Sequence, residues 1–384
     1  MMNFLFWLAA ITFIALLTSG FAGVRGARRI EWLDTITPLE DALLPSVSII
    51  IPALNEEENI REALSSVLSL DYSALEIIVI NDRSTDRTGK ILDEMAAHNP
   101  ELKVIHLKKL PPGWLGKNHA LYCGAGRASG EYFLFTDADV IMEPSTLKRA
   151  MARVVARNLD HLTLLFKAVL PSSILQMMVI EFGVSLVSYL KPWKASDKDA
   201  KEFIGIGAFN LVNAAAYRQA GGHKAINLCP IDDIMLGKLF KQHGFHQECL
   251  YGYHFIAVQW YASIREMIQG LMKNTYAALE YSFVRLCILT VLQAAVSIWP
   301  IWALVLTGGA TRLINLAIVL LQGVFFVMAA AYSDIDCKHV IWFPLTPYIR
   351  IYMTWKAVLT TIFRKGIVWR GTFYSLKVLK EGRL

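Results

Sequence analysis

The chain has 384 residues, of which 55% are hydrophobic and 18% are charged, and its mean hydropathy is +0.41. This composition excludes an ordinary soluble protein and a pure bundle of membrane helices, and it indicates a soluble domain joined to membrane helices. The net charge of +6 comes without a nucleic-acid motif, so we expect contact with a membrane surface and no nucleic-acid partner. Five widely spaced cysteines, with no Cys-x-x-Cys pair, argue against a zinc site or a disulfide framework.

The first predicted element is a membrane span over residues 3–24, which are nearly all apolar and carry no charge. Arg25, Arg28 and Arg29 follow it. By the positive-inside rule, these arginines place the N-terminus outside and the following domain in the cytoplasm. A cleaved signal peptide would need basic residues before the apolar run, and the three residues there supply none.

Strands and helices alternate from residue 46 onward. Short apolar runs predict four buried strands joined by helices, at residues 47–51, 76–80, 102–107 and 132–135. Such an alternation predicts an α/β fold with a mostly parallel, doubly wound, Rossmann-like sheet. Asn55, with Glu58 three residues later, has the pattern of a capping box at the start of the helix after the first strand.

The second half of this domain is less regular. Gly205 and Gly207 lie in a predicted strand and would allow close approach of another backbone. The further predicted elements are a helix at 144–157, strands at 160–167 and 202–213, a helix at 231–243, a hairpin or pair of edge strands at 246–260, and an amphipathic helix at 262–283.

Residues 171–189 could be read as a membrane span, because they are long enough and carry one charge, Glu181. A crossing there would place the acidic residues near position 232 on the opposite side of the membrane from those near position 137. We therefore interpret this segment as an amphipathic helix at the interface or under the active site, consistent with its polar interruptions.

The C-terminal part is predicted to contain two further spans, at 288–307 and 313–331. Residues 340–363 contain two prolines and two basic residues and are interpreted as an in-plane or re-entrant helix, followed by a basic cytoplasmic tail. The predicted domains are an anchor at 1–30, a soluble domain at 45–285, and a membrane part with the tail at 286–384. The expected location is the inner (plasma) membrane, with several spans.

Carboxylates follow the ends of several predicted elements. Asp137 and Asp139 come directly after the strand at 132–135, Asp82 follows the strand at 76–80, and Asp232 and Asp233 open a helix. The carboxyl ends of parallel strands meet at one edge of a sheet, where α/β proteins bind ligands. Carboxylates can hold a metal on a diphosphate, bind ribose hydroxyls and accept a proton. The alternative for each pair is a solvated cap or turn.

With these motifs the chain resembles membrane-anchored family 2 glycosyltransferases with the GT-A fold, including hopanoid-associated, carotenoid-type and ceramide-type lipid glycosyltransferases. The resemblance rests on Ile51-Pro-Ala-Leu-Asn-Glu-Glu57, Val79-Ile-Asn-Asp-Arg-Ser-Thr-Asp-Arg-Thr88, Pro111-Pro-Gly-Trp-Leu-Gly-Lys-Asn-His-Ala120, Phe135-Thr-Asp-Ala-Asp139, Ile231-Asp-Asp-Ile-Met-Leu-Gly237 and Val368-Trp-Arg-Gly371.

This resemblance implies a role for each motif. Asp137 and Asp139 would bind Mg²⁺ or Mn²⁺, with Asp139 the direct ligand. Asp233 would be the general base, and Asp232, where the family usually has Glu, its partner. The residues implied to surround the nucleotide-sugar donor are Pro52, Asn55, Glu56, Asp82, Lys117 and Asp137. Such enzymes transfer the sugar by single displacement with inversion.

One stretch departs from the family pattern, and the role of one histidine has two interpretations. Processive synthases of the family carry Gln-x-x-Arg-Trp after the base motif, and residues 258–265 do not match it. This difference implies one sugar per acceptor. His254 lies where some relatives have a histidine that touches the metal, and the alternative is a strand histidine bonded to its neighbours.

The predicted function is transfer of a hexose, with UDP-sugar as the expected donor, to a hydroxyl of a membrane lipid. Residues 171–193 would form an apolar floor beside the site, and residues 340–363 would hold the domain on the bilayer, so that a lipid hydroxyl could reach Asp233. The alternative for both segments is plain anchoring or core packing. Polyprenyl phosphate is the alternative acceptor. A non-catalytic nucleotide-binding scaffold predicts degraded acidic motifs, and a transporter predicts polar or broken spans.

Overall fold

The computed structural model describes residues 2–382. Its strands are β1 (Val47–Ala53), β2 (Leu75–Asp82), β3 (Leu102–Leu107), β4 (Tyr132–Phe135), β5 (Val140–Met142), β6 (His161–Leu165), β7 (Lys167–Val169), β8 (Asn210–Asn213), β9 (Gln247–Tyr251), β10 (Ile256–Gln259), β11 (Gly366–Trp369) and β12 (Thr372–Ser375).

The helices are α1 (Met2–Ala27), α2 (Ile60–Leu68), α3 (Thr88–Ala96), α4 (Gly116–Ala125), α5 (Thr146–Arg157), α6 (Ser173–Leu190), α7 (Ala214–Gln219), α8 (Gly222–Ala225), α9 (Asp232–Gln242), α10 (Ile264–Ala278), α11 (Phe283–Gln293), α12 (Trp299–Leu306), α13 (Gly309–Tyr332), α14 (Thr346–Phe363) and α15 (Leu376–Glu381). Five residues, Ala294–Ile298, join α11 to α12 as a π-helical turn.

The main sheet has seven strands in the order β3-β2-β1-β4-β8-β6-β9. β1 runs parallel to β2 and β4, whereas β8 runs antiparallel to β4 and β6. Every residue of β1 is buried, as are the last six of β2, because helices cover both faces of a parallel sheet. The predicted α/β fold with a mostly parallel sheet is confirmed.

Of the two alternatives predicted for residues 246–260, the hairpin is wrong, and the pair of edge strands is right for the first strand alone. β9 pairs with β6 at one edge of the main sheet, whereas β10 lies between β5 and β7 in a separate three-stranded sheet. Only the last four residues of the strand predicted at 202–213 are extended in a ladder. In both cases strands distant in sequence determine the pairing, and local alternation does not reveal them.

The predicted capping box at Asn55 is also wrong. Asn55 has φ +54°, and α2 begins five residues later, after Asn59. Asparagine tolerates this left-handed conformation, and its Oδ1 accepts a hydrogen bond from Thr85 N–H at 2.8 Å. Asn55 therefore ties together the loops that follow β1 and β2.

The chain divides into two compact units that interleave along the sequence. The sheet unit comprises residues 30–169, 190–260 and 366–384, and the helical unit comprises the segments between them and the residues up to 29. The tail strands β11 and β12 thus belong to the sheet unit. The domain boundaries expected at residues 45 and 285 differ from this division and remain a prediction.

Within residues 2–382, four helices are long and apolar enough to cross a membrane, judged by length and composition: Phe4–Ala27, Ser173–Lys194, Phe283–Leu306 and Gly309–Tyr332. Three match the predicted spans, and the fourth is the segment that the sequence indicated as interfacial. Gly20 of α1 lies against α13, and the ring of Phe325 fills the space that a side chain at position 20 would need. The outward residues of α1, such as Phe4 and Trp7, are exposed, as expected of a surface that meets lipid.

Candidate active site

The site lies at the point where the order of the sheet reverses. The chain proceeds outward from β1 to β2 and β3 and then returns to β4 on the other side of β1. Ligands of open α/β sheets bind outside the carboxyl ends of the strands at such a point. The β1–β4 ladder ends at Ile50 and Phe135, although β1 continues through Pro52, which has no N–H to donate. The crevice between the two strand ends therefore begins beside Pro52.

Lys117, in the first turn of α4, contacts two other predicted site residues, Asp137 and Asp232. Its Nζ lies 2.7 Å from Asp137 Oδ1 and 3.3 Å from Asp232 Oδ2. Burial alone would lower the pKa of the ammonium, but the surrounding carboxylates, led by Asp137 and Asp232, raise it above its ordinary value. Lys117 is therefore a permanent cation that holds the two acidic motifs together.

Asp233 is held beside this cluster by two backbone amides. Its Oδ2 accepts a hydrogen bond from Gly207 N–H, and its Oδ1 accepts one from Ile234 N–H, both at 2.9 Å. Burial, and then the charge of Asp232, raise the pKa of Asp233 above its ordinary value. A raised pKa brings a carboxylate closer to the range in which it can take up a proton at neutral pH.

The two glycines singled out by the sequence make this arrangement possible. A Cβ on Gly207 would lie 2.8 Å from Asp137 Oδ2, and one on Gly205 would lie 1.9 Å from the carbonyl oxygen of Asp233. A side chain at position 207 would push on the Asp137 carboxylate, and one at position 205 would push on the backbone of Asp233, so the expected close approach is present.

The described cavity in the sheet unit has about 220 Å³ of space, part of it open to solvent, and contains most of these groups. It is lined by Lys117, Leu121, Phe135, Thr136, Asp137, Gly207, Asn210, His223, Asp232 and Asp233. Sequence reasoning missed Asn210 and His223. Burial, and then the Lys117 charge, lower the pKa of His223 to about 3, so this histidine is neutral and bonds Tyr217 Oη through Nδ1 at 2.9 Å.

Asp139 lies on the turn after β4 with Asp137. Burial, and then the neighbouring Asp137, raise the pKa of Asp139 above its ordinary value. Two carboxylates that disfavour each other's charge fit a divalent cation, which takes one or two carboxylates and completes its shell with substrate phosphates. Within residues 2–382, no group of three or more His, Cys, Asp or Glu side chains could hold a metal by itself. Any cation held by Asp137 and Asp139 would take its remaining ligands from water or from a bound substrate.

Asp82 ends β2 and is almost fully buried. Arg83 binds both of its oxygens, each at 2.8 Å. Gly116 packs against the pair, since a Cβ there would lie 2.6 Å from Asp82 Oδ2. The donor contact predicted for Asp82 would thus be made by a carboxylate that Arg83 already orients.

Glu56 follows β1 and is paired with a residue that sequence reasoning left without a role. Its Oε1 lies 3.0 Å from Arg370 Nη2. Burial raises the pKa of Glu56 to about 7 even though Arg370 acts in the opposite direction. The Trp-Arg-Gly motif in the tail was the available signal, but 314 residues separate it from Glu56.

His254 is not brought to the cluster. Its Nδ1 lies 2.9 Å from Asp34 Oδ1, and its ring stacks on Trp32. A metal-ligand role for His254 stays a prediction, whereas the observed contacts are those of a strand-end histidine bonded to its neighbours.

The fold described above is the GT-A fold of glycosyltransferases. Residues 48–212 match the family model for glycosyl transferase family 2, which confirms the resemblance and identifies this segment as a family 2 domain. The chain is 29% identical over 239 residues to the 4,4'-diaponeurosporenoate glycosyltransferase of Staphylococcus haemolyticus, which is 60% of either chain. It is 40% identical over 119 residues to an uncharacterized glycosyltransferase of Haemophilus influenzae, which is 31% of this chain and 35% of that one.

One solved structure shares the fold over almost the whole chain. It is the mannosyltransferase PcManGT from Pyrobaculum calidifontis, in complex with GDP-Man and Mn²⁺. The TM-score is 0.56 at 17% identity, and the match covers 94% of this chain and 99% of that chain. The curated relatives are matched over about 60% of their length or less.

Proposed function

We propose that the chain transfers a hexose from a nucleotide sugar to a hydroxyl group of a membrane lipid, one sugar per acceptor and with inversion. A UDP-sugar is the first donor to test. The proposal rests chiefly on the meeting of Asp233, Asp137 and Lys117 in one cavity. The carotenoid-type name of a relative and the apolar helices support a lipid acceptor.

In this mechanism Asp233 takes the proton from the acceptor hydroxyl. Its two backbone hydrogen bonds fix the carboxylate, and its raised pKa makes it a stronger base than an ordinary carboxylate. Lys117 keeps Asp232 and Asp137 in place and limits the rise in the pKa of Asp233. Asp233 thus acts on the acceptor side, at a distance in sequence from the residues that hold the donor.

On the donor side, Asp137 and Asp139 would hold Mg²⁺ or Mn²⁺. Such an ion, when bound, stabilises the negative charge that develops on the departing diphosphate. Asp82 orients the nucleoside, and Arg83 fixes the direction of that carboxylate by binding both of its oxygens. The catalytic domain is proposed to face the cytoplasm, with the N-terminus outside.

The experiment is mass spectrometry of lipid extracts incubated with the purified full chain, a panel of UDP- and GDP-sugars, and Mg²⁺ or Mn²⁺. A new glycolipid with one added hexose is expected. No glycolipid with any donor would overturn the proposal, and a product formed equally well in EDTA would remove the metal role of Asp137 and Asp139.

The acceptor class is tested with Asp233→Asn. With a hydroxyl acceptor the rate should fall by about 10²- to 10⁴-fold, because the general base is lost. A polyprenyl phosphate acceptor is already an anion and needs no base, so the variant would keep most of its rate. Retained activity would therefore replace the lipid hydroxyl with a phosphate acceptor.

A further inference from the structure

The tail of the chain forms a β-hairpin whose turn reaches the crevice. β11 and β12 pair from Gly366↔Ser375 to Trp369↔Thr372, leaving Arg370 and Gly371 as a two-residue turn. Both turn residues have positive φ, +47° and +76°, as in a type I′ turn that fits the twist of the strands. The turn therefore places the Arg370 side chain at the tip, where it contacts Glu56.

The hairpin and the end of the helix that follows it are each fastened to the rest of the sheet unit by a hydrogen bond. Tyr374 is buried, and its hydroxyl accepts a hydrogen bond from the N–H of Gly116 at 3.3 Å, next to Lys117. Cys229, which lies three residues before Asp232, donates a hydrogen bond from its Sγ–H to the carbonyl oxygen of Gly382 at 2.7 Å. These contacts hold the tip over the strand ends and leave its one long side chain to reach inward.

The cations around the crevice differ in how strongly they are engaged. Lys117 is held by two carboxylates and is 12% exposed, and Arg83 is held by both oxygens of Asp82. Arg370 makes an ion pair with one carboxylate oxygen, and 34% of its side chain is exposed. It is also near enough to Asp139 to act on the charge of that carboxylate. Arg370 is thus the cation best able to exchange its partner for an entering anion.

We propose that Arg370 is a donor-binding residue, which leaves Glu56 and binds the diphosphate of the nucleotide sugar when the donor enters. A guanidinium matches two phosphate oxygens with parallel N–H bonds, whereas its pairing with Glu56 uses one oxygen. The hairpin of residues 366–375 is then a fixed support that delivers a diphosphate contact from the far end of the chain. This inference rests on the proposed function, because it assumes a nucleotide-sugar donor.

The test is calorimetric titration of the full chain in detergent with UDP, GDP and the matching nucleosides, in the presence of Mg²⁺. Arg370→Ala should weaken binding of the diphosphate by about 10- to 100-fold and leave nucleoside binding unchanged. Arg370→Lys, which keeps the charge but loses the paired N–H bonds, should fall between Arg370→Ala and the wild type. Lys380→Ala is the matched control, since it removes an exposed cation on the adjoining helix α15 and should change neither affinity.

The outcomes separate this inference from the function on which it rests. If the wild-type chain binds neither diphosphate, the nucleotide-sugar donor itself is refuted. If the wild type binds UDP or GDP but Arg370→Ala weakens diphosphate and nucleoside equally, or weakens neither, Arg370 serves only to balance Glu56 and the inference is refuted. Should Arg370→Ala fail to fold, Arg370→Lys provides the same comparison.

Discussion

Two buried ionic networks of the molecule differ in their balance of charge. In the helical unit, Arg350 Nε lies 2.9 Å from Glu181 Oε1, and Gln293 Nε2 donates to the same oxygen at 3.2 Å. This network has one cation for one carboxylate. In the sheet unit, Lys117 contacts Asp137 and Asp232. Asp233 lies close enough to Asp232 that the charge of Asp232 adds to the rise in the pKa of Asp233. There, one cation serves three carboxylates.

The difference indicates what each network is for. The pair on α6 and α14 is balanced in charge, with one cation for one carboxylate, so we infer that it links those helices. An excess of carboxylates is costly in the folded protein and becomes favourable when a cation or a proton arrives. The sheet unit therefore has the charge pattern of a reaction site, and the helical unit has that of a structural link.

The largest effect is expected from Asp139→Asn. Removing this carboxylate should lower kcat by roughly 10²- to 10³-fold, because the divalent cation would lose a ligand. Transfer rates measured across a Mg²⁺ and Mn²⁺ titration check it. Asp199→Asn, on an exposed loop of the same unit, is the matched control and should behave as wild type. Full activity of Asp139→Asn at low metal would remove the distinction between the two networks.

A change in pH dependence is expected from Lys117→Met. The wild-type rate should fall as pH drops through the raised pKa of Asp233, since a protonated base cannot accept a proton. Lys117 lowers that pKa, so its removal should move the acidic limb of the pH–rate profile upward by roughly one unit or more. An unchanged limb in the variant would show that Asp233 is not the group that titrates.

A smaller effect, on stability alone, is expected from Glu181→Gln. It leaves Arg350 without its charged partner and should lower the free energy of unfolding by about 1–3 kcal/mol. The double variant with Arg350→Met should recover part of this loss, because no unpaired charge remains. Denaturant unfolding in detergent measures both. If the single variant lost transfer activity while keeping wild-type stability, the pair would belong to the reaction after all.

The smallest effect is expected from Glu56→Gln, and it has the opposite sign. The pKa of Glu56 is 4.5 in the unfolded chain and about 7 in the folded chain. Between these two pH values the Glu56 carboxyl is ionised in the unfolded chain and still protonated in the folded chain. Wild-type stability is therefore lost as pH rises across this window. The variant should be more stable by about 1–2 kcal/mol at pH 8 and unchanged at pH 4, as thermal unfolding at the two values would show. If the variant and the wild type were equally stable at pH 8 as well as at pH 4, the raised pKa of Glu56 would be contradicted.

Sequence reasoning found the acidic residues because each follows a recognisable strand or opens a helix. The buried runs before Asp82 and Asp137 are short, apolar and well bounded, and the rule that parallel strands end at one edge brings them together. Gly205 and Gly207 were also recognisable, since glycine in an extended segment signals a close approach.

The remaining parts depended on long-range contacts. Asn55 has the sequence of a helix cap, but its left-handed backbone serves a loop that follows another strand. The pairing of β9 with β6 and the contact of Arg370 with Glu56 join segments that no local pattern connects. His254 shows the same limit, because a position in the sequence did not reveal its partner Asp34.

The shared cavity constrains the path of the chain through a bilayer. Asp137 and Asp233 line one cavity, so both lie on the same side of a membrane and the chain between them must cross the bilayer an even number of times. Within residues 2–382, the part of that stretch long enough to cross is the helix Ser173–Lys194, and a single crossing by it would place the two carboxylates on opposite faces, so we expect that it does not cross. If the three other candidate helices each cross once, the total is odd. Reporter groups placed before Phe4 and after residue 366 should then be labelled by impermeant reagents from opposite faces.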